Sequence, residues 1–236
     1  MACQACDSDS MDRMLLRKTL IIVPIHDEWP HVAGVLENLR SRFPNVLVIE
    51  DGASEKALKS FCRANEIDYI ASLFNLGVWP AIQIGFRYAL LKGYSFVVTF
   101  DGDGQHLPEE VEKLIAPLDS GCDIVVGSCV ERGGFLKKTC WLVLRKLSGI
   151  EIHDVTSGFR AYGRSAFQRF AEAEQADLEY QDLGVLLLAQ RWGFNCTEVC
   201  TRMSERVAGH SKVFPGTKLI LHYLMTTLVS MAIKWR

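Results

Sequence analysis

The chain has 236 residues, of which 49% are hydrophobic and 23% are charged. Its 26 Lys and Arg residues nearly balance its 28 Asp and Glu residues, so the formal net charge is only −2. This composition is typical of one globular domain, excludes a disordered chain, a collagen-like repeat and a small disulfide-rich module, and argues against a nucleic-acid partner.

From residue 19 onward, short apolar runs rich in β-branched residues alternate with segments whose apolar residues recur at helical spacing. We expect Ser54 to be a helix N-cap, Pro80 to lie in a first helical turn and Gly93 to be a C-cap. In chain order the predicted elements are a strand at 19–25, a helix at 31–43, a strand at 45–50, a helix at 54–65, a strand at 68–71, a helix at 80–93, a strand at 95–100, a helix at 108–121, a strand at 123–128 and a helix at about 136–148. Repeated units of this kind predict an α/β fold with a mostly parallel sheet and helices on both of its faces.

The cysteines and the N-terminal segment indicate a cytoplasmic protein. Eight cysteines are spread over segments with helix or strand patterns, which is typical of reduced thiols. The pairs Cys3–Cys6 and Cys196–Cys200 have no histidines at zinc spacing, so we do not expect a structural zinc site. Residues 1–18 lack the apolar core of a signal peptide and are predicted to form a flexible tail.

Polar clusters follow three of the predicted strands. They are His26-Asp27-Glu28, Glu50-Asp51-Gly52 and Asp101-Gly102-Asp103. Ligands of open parallel sheets bind beyond the carboxyl ends of the strands, so we expect a functional cleft along this edge. The histidines near these clusters, among them His26 and His106, are expected only to support the site.

The segment from Asp101 to Gln105 has the donor groups of a hard-cation site. It supplies two carboxylates and an amide oxygen in a glycine-rich turn directly after an apolar strand. Mg²⁺ and Mn²⁺ favour such oxygen ligands and leave positions open for phosphate and water. A plain Asp-Gly turn is the alternative, and this motif alone does not decide between the two.

Several segments, taken together and in order, resemble family 2 glycosyltransferases with the GT-A fold, in the branch of dolichyl- and polyprenyl-phosphate sugar synthases. The segments are TLIIVPIHDE (19–28), VLVIEDGASE (46–55), NLGVWPAIQIGFRYA (75–89), VVTFDGDGQHLPEEV (97–111) and HDVTSGFRAYGRSAF (153–167). The resemblance implies a Rossmann-like GT-A domain at 19–213. It also implies inverting, metal-dependent transfer of a sugar from a UDP- or GDP-sugar to a polyprenyl phosphate.

The same resemblance assigns the donor side of the site. Asp51 would lie at the nucleotide base, where Glu50 and Ala53 replace the family's usual Asp and Ser. Asp103, with Asp101 and Gln105, would hold Mg²⁺ or Mn²⁺ against the donor diphosphate, and Asp103 would thereby take part in catalysis. The residues expected to bind the nucleotide sugar are Pro24, Asp27, Glu28, Glu50, Asp51, Asn75, Gly77 and Asp101.

The acceptor is expected to be a phosphate or a hydroxyl group, and the two possibilities differ in whether Asp182 is needed for catalysis. Asp182 resembles the family's general base, which a hydroxyl acceptor needs and a lipid phosphate does not. The alternative is a carboxylate that stabilises a helix N-terminus, and Gly184 stands where the branch often has a second Glu. The residues expected to bind the acceptor or its phosphate are Arg132, Ser157, Arg160, Arg206, Ser211 and Lys212.

Two departures from the family pattern weaken the lipid acceptor more than they weaken the glycosyltransferase. Cys129 replaces an Arg that commonly holds phosphate, and the link from 134 to 152 is shorter than in membrane-bound synthases. The rivals of this interpretation are transfer to a glycan or small-molecule hydroxyl, a sugar-nucleotide pyrophosphorylase and a non-catalytic binding module. A pyrophosphorylase would need a glycine-rich phosphate loop after the first strand, which this chain lacks. The intact set of Asp101, Asp103 and Gln105 argues against a non-catalytic binding module.

Residues 214–236 are predicted to form an apolar C-terminal helix. LILHYLMTTLVSMAI (219–233) carries no Asp, Glu, Lys or Arg and is followed by Lys234-Trp235-Arg236. Fifteen residues are short for a membrane span, so a membrane-surface helix, a core helix and an oligomer interface all fit. We expect peripheral contact with the cytosolic face of a membrane, and a homo-oligomer remains open.

Overall fold

The computed structural model describes residues 14–52, 55–129, 135–173 and 183–204. Strands and helices alternate along these ranges. They are β1 (Thr19–Ile25), α1 (Ala33–Arg42), β2 (Val46–Asp51), α2 (Lys56–Ala64), β3 (Asp68–Ser72), α3 (Val78–Lys92), β4 (Phe96–Thr99), a 3₁₀ turn (Pro108–Glu110), α4 (Val111–Asp119), β5 (Ile124–Ser128), α5 (Phe135–Ser148), β6 (Arg160–Gly163), α6 (Arg164–Glu172), α7 (Leu183–Arg191) and β7 (Cys196–Cys200).

One seven-stranded sheet organises these elements, in the order β3-β2-β1-β4-β6-β5-β7. β6 runs antiparallel to both of its neighbours, β4 and β5. The other pairings are parallel, with Ile21 opposite Val46 in β2 and Ile22 opposite Thr99 in β4. The predicted mixed α/β fold with a mostly parallel sheet is confirmed.

Strand β1 shows why the sheet needs helices on both faces. Ile21, Val23 and Ile25 join one hydrophobic cluster, which α1, α2 and α4 cover. Leu20 and Ile22 alternate with them and join a second cluster under α3, α6 and α7. A strand that is buried on both faces reads as a continuous apolar run, which is why β1 was evident in the sequence.

The helix ends agree only in part with the sequence predictions. Gly93 closes α3 with a left-handed φ of 79°, and Pro80 lies in the first turn of that helix, as predicted. Ser54, the predicted cap of α2, lies outside the described residues, and Glu55 precedes the first helical residue. The Glu55 N–H donates to the Glu50 carboxylate at 2.9 Å, so the neighbouring strand provides the acceptor.

Cysteines in the described residues are free thiols. Burial raises the pKa of Cys62 and of Cys196 to about 11, so both are protonated at neutral pH. No helix in the described part of the chain is both long and apolar enough to cross a bilayer. Most of the predicted tail at 1–18 and the whole of the predicted C-terminal helix lie outside the described residues.

Candidate active site

Asp51 ties the end of β2 to the loop that precedes α3. Its Oδ1 accepts the Leu76 N–H and its Oδ2 accepts the Gly77 N–H, both at 2.8 Å. The side chain is only 4% exposed, so these amides replace the water that an ionised carboxylate needs. Asp51 and Gly77, both expected to bind the nucleotide sugar, therefore lie together.

His26 completes this connection from the end of β1. Its Nδ1 lies 2.6 Å from the Asp51 carbonyl oxygen, and its Nε2 lies 3.2 Å from Nδ2 of Asn75. The carbonyl can only accept, which assigns the proton to Nδ1 and leaves Nε2 to accept from Asn75. Gly52 is required beside it, because a Cβ there would lie 2.4 Å from the Asn75 backbone nitrogen. Sequence reasoning gave His26 only a supporting role.

Glu50 is also buried, but it faces away from this loop. Its Oε1 accepts the Glu55 N–H at 2.9 Å, and its Oε2 accepts the Tyr69 hydroxyl. Burial and this hydrogen bond raise the pKa of Tyr69. The residue is 1% exposed and shapes the turn after β2, and its expected role in nucleotide binding stays a prediction.

Three more residues that are expected to bind the nucleotide sugar lie in β1 or directly after it. Pro24 is inside the strand, opposite Ile49 of β2. Asp27 is exposed and has a left-handed φ of 56°. Glu28 abuts the second polar cluster, because a Cβ on Gly102 would lie 2.8 Å from its Oε2.

The DXD turn, residues 101–105, follows β4. The side chain of Asp101 is 43% exposed and lies against Gly158, where a Cβ would come within 3.1 Å of its Oδ2. The Oδ1 of Asp103 accepts the Gln105 N–H at 3.0 Å. The predicted metal-binding residues therefore lie on one short turn, beside Glu28.

This turn fits a hard divalent cation as a partial ligand set. Among the described residues no group of three or more His, Cys, Asp and Glu side chains is arranged to hold a metal ion. Asp101, Asp103 and Gln105 offer two carboxylates and one amide oxygen, and a cation held by these would complete its shell with phosphate oxygens and water. The donor set thus suits an ion that arrives with a diphosphate.

Ser157 and Arg160 point into the protein, not toward a bound phosphate. The Ser157 hydroxyl donates to the Gly127 carbonyl at 2.6 Å. Arg160 is 0% exposed, and its guanidinium donates to the carbonyls of Ser157 at 2.9 Å and Val155 at 3.1 Å. A buried guanidinium needs acceptors, and the loop backbone provides them, while the predicted binding of phosphate by both residues stays a prediction. Their role here is to hold the loop at residues 153–160, named the 153–160 loop.

Glu198 of β7 anchors the start of the 153–160 loop. It accepts the N–H groups of His153 and Asp154, each at 3.0 Å, and lies 2.8 Å from Nδ1 of His153. Burial acts to raise the pKa of Glu198, but hydrogen bonds from Ser128 and from these amides outweigh it and hold the pKa below its usual range.

The chain after β7 returns alongside the DXD turn. The Ser204 N–H donates to the Gln105 carbonyl at 2.9 Å, and Arg202 binds the fully buried carboxylate of Glu110 at 2.7 Å. Burial acts to raise the pKa of Glu110, but Lys113 and Arg202 outweigh it and lower that pKa. The segment that leads to Arg206, Ser211 and Lys212, which are expected to bind the acceptor or its phosphate, therefore starts beside the DXD turn.

Some predicted site residues cannot be placed. Asp182, Arg132, Arg206, Ser211 and Lys212 lie outside the described residues. A surface cavity of about 450 Å³ lies elsewhere, between α6 and α7, where Arg169 and Arg191 are among its lining residues. The DXD turn does not line this cavity.

Comparison with known proteins agrees with the chemistry of this edge. The family model "Glycosyl transferase family 2" matches residues 20–170. The chain is 30% identical to a polyprenol monophosphomannose synthase from Mycolicibacterium smegmatis, covering 84% of this chain and 81% of that protein. It is 27% identical to an undecaprenyl-phosphate mannosyltransferase from Micrococcus luteus, covering 84% and 88%.

A solved structure shares the fold. Glucosyl-3-phosphoglycerate synthase from Mycobacterium tuberculosis, in complex with Mn²⁺, UDP and glucosyl-3-phosphoglycerate, aligns with a TM-score of 0.62. The alignment covers 91% of this chain and 79% of that chain, at 16% sequence identity. At this identity the similarity shows the fold alone.

Proposed function

The chain belongs to glycosyl transferase family 2, and we propose that it transfers a sugar from a UDP- or GDP-sugar to a polyprenyl phosphate, with inversion at the anomeric carbon. It is a glycosyltransferase with the GT-A fold. The choice of acceptor rests on one observation. Most of the chain is similar to a polyprenol monophosphomannose synthase and to an undecaprenyl-phosphate mannosyltransferase.

The nucleotide would lie over the ends of β1 and β2, against the loop from Asn75 to Gly77. The hydrogen bonds of Asp51 and His26 support this proposal, since they fix that loop before any nucleotide sugar binds. Asp51 would act mainly by setting the shape of the loop. Pro24, Asp27 and Glu28 would face the sugar diphosphate from the end of β1.

The DXD turn would hold Mg²⁺ or Mn²⁺ through Asp101, Asp103 and Gln105. When bound, the ion would offset the negative charge that develops on the leaving nucleotide. The chain's part is to present its oxygens in a fixed arrangement. The hydrogen bond from the Gln105 N–H to Asp103 and the packing of Asp101 against Gly158 support this role.

The acceptor phosphate would be bound by Arg132, Arg206, Ser211 and Lys212. Because Arg160 is buried, recognition of the phosphate falls on these residues. The hydrogen bond between Ser204 and Gln105 supports the proposal, because it holds the start of the segment beside the turn where the donor diphosphate would bind. This segment carries Arg206, Ser211 and Lys212. The lipid would reach the site from a membrane surface, with residues 219–236 as the peripheral contact at its cytosolic face.

Transfer to a hydroxyl group is the second candidate. The burial of Arg160 and the Cys129 substitution favour it, because each removes a cation that a phosphate would use. Asp182 would then be the general base, since an attacking hydroxyl must lose its proton as its oxygen bonds to the anomeric carbon.

The test combines donor binding with product analysis. Melting temperatures would be measured with UDP- and GDP-sugars, with and without Mn²⁺, because a ligand that binds only the native state raises stability. The stabilising donor, radiolabelled in its sugar, would then be incubated with polyprenyl phosphate or with polyprenol. We expect label in the lipid only with the phosphate, and an Asp103→Ala control should bind no donor through Mn²⁺. Label transferred equally to polyprenol would overturn the proposal.

A further inference from the structure

His106 is a buried imidazole that touches the DXD turn at two points. It is 3% exposed, and its Nδ1 lies 3.1 Å from the Asp101 backbone nitrogen. The backbone N–H can only donate, so Nδ1 accepts and the proton of the neutral ring is on Nε2. Nε2 lies 3.5 Å from Oδ2 of Asp101, close enough for an electrostatic contact with that carboxylate.

The ring is fixed by aromatic neighbours. It stacks on Phe159 with a centroid distance of 4.6 Å and an interplanar angle of 20°. Phe100, the residue before Asp101, packs edge-on at 5.4 Å. Met203 pairs with the His106 backbone through an isolated β-bridge. The side chain of His106 therefore contacts the DXD turn and the 153–160 loop, and the backbone of the same residue pairs with the chain that returns after β7.

We propose that His106 is a positioning residue, which sets the orientation of the Asp101 carboxylate for the divalent cation. The inference rests on the proposed metal role of the DXD turn. Asp101 is partly exposed, so its carboxylate would otherwise rotate in solvent. His106 restrains it at Oδ2, and Gly158 packs against both of its oxygens.

Packing alone would also explain a buried ring among phenylalanines, and substitutions can separate the two roles. His106→Phe keeps a ring on Phe159 but has no nitrogen that can contact Asp101. His106→Asn keeps an acceptor near the position of Nδ1 and loses the group that faces the carboxylate. His106→Gln extends an amide toward the position of Nε2. His31→Gln, at an exposed position, is the matched control.

Mn²⁺ affinity tests the proposal without relying on activity. It would be measured by electron paramagnetic resonance with a saturating concentration of UDP or of GDP, whichever nucleotide the melting temperatures select. Loss of a group that supports a metal ligand typically weakens metal binding about 10- to 100-fold. We expect that loss for His106→Phe and His106→Asn, a smaller loss for His106→Gln, and none for His31→Gln. Melting curves would show that each variant is folded.

The outcomes are distinct. A folded His106→Phe protein that binds Mn²⁺ as the wild type does would overturn the proposal. If that variant does not fold, the comparison of Asn with Gln decides, and equal affinities would overturn it. If the wild-type protein binds no Mn²⁺ with either UDP or GDP, the metal part of the proposed function fails first, which is a different result.

Discussion

Glu50 and Asp51 are adjacent carboxylates at the end of β2, and burial requires both to find hydrogen-bond donors. An ionised group that leaves water loses free energy unless donors replace the water. Asp51 finds them in the amides of Leu76 and Gly77, and Glu50 finds them in Tyr69 and the Glu55 amide. Each carboxylate therefore fixes a piece of backbone beside the proposed donor site.

Replacing Asp51 by Asn should loosen the loop before α3. The amide has only one oxygen, so one of the two loop N–H groups would face an NH₂ group. We expect the free energy of unfolding to fall by about 1–3 kcal/mol and nucleotide affinity to fall with it. Urea denaturation and titration with UDP and GDP measure both quantities. Asp119→Asn, at an exposed helix end, should leave nucleotide affinity unchanged, and unaltered affinity in Asp51→Asn would refute this reading.

Glu198 should make the protein less stable in acid. Its pKa is lowered in the folded state, so its contribution to stability is present above the unfolded-state value of 4.5 and is lost as pH falls through the folded value. Urea unfolding between about pH 5 and pH 3 should show a shallower loss of stability in Glu198→Gln than in the wild type. Equal slopes would mean that the bonds to His153 and Asp154 do not stabilise the fold.

At the scale of elements, the sequence predicted those that bury apolar residues at a regular period. β1, β2, β4 and β5 and the helices between them are such elements, whereas every residue of β3 is exposed or half-buried. It missed β6, which has four residues and begins with a buried Arg160, and β7, whose sequence CTEVC has no apolar run. It also could not give side-chain direction, because a motif with Ser157 and Arg160 has the same letters whether it faces a phosphate or its own carbonyls.

Gly158 should not tolerate a side chain, because the 153–160 loop packs directly on the DXD turn. An added Cβ would lie 3.1 and 3.2 Å from the two carboxylate oxygens of Asp101, so the carboxylate would have to shift. We expect Gly158→Ala to weaken Mn²⁺-dependent donor binding roughly tenfold, as for other groups that support metal ligands. Isothermal titration with the donor measures it.

Gly34→Ala is the matched control for this prediction. A Cβ on Gly34 in α1 meets no atom within 4 Å, so donor binding should be unchanged. If Gly158→Ala binds donor as tightly as Gly34→Ala, the loop and the turn are not coupled through Asp101.

In the whole molecule, β4 and β6 join two halves of the proposed site. Thr99 of β4 pairs with Arg160 of β6, and its hydroxyl donates to the Gly158 carbonyl at 2.7 Å. The part of the site proposed to bind the nucleotide sugar, built from β1 to β4, therefore meets the 153–160 loop where β4 pairs with β6. Ordered motifs in the sequence predict a set of site residues, and the roles of these residues stay predictions. Long-range contacts such as that of His106 with Phe159 join residues 53 positions apart and needed the fold.

The C-terminal segment should bind membranes if the acceptor is a lipid. Residues 219–233 are uncharged apart from one His, and Trp235 with its flanking cations suits the headgroup region. We expect co-sedimentation with anionic liposomes that is weakened by deleting 219–236 and unaffected by deleting 1–13. A full-length protein that stays in the supernatant would assign the segment to a core or an oligomer interface.

The acceptor class is the central claim, and the turnover of Asp182→Asn with polyprenyl phosphate at saturating donor tests it most directly. General-base catalysis contributes about 10²- to 10⁴-fold when a hydroxyl attacks, whereas a lipid phosphate is already anionic and has no proton to lose. The account predicts that Asp182→Asn keeps most of its kcat with polyprenyl phosphate. A loss of a hundredfold or more with this acceptor would contradict it and would show that Asp182 takes part in the transfer to the phosphate itself.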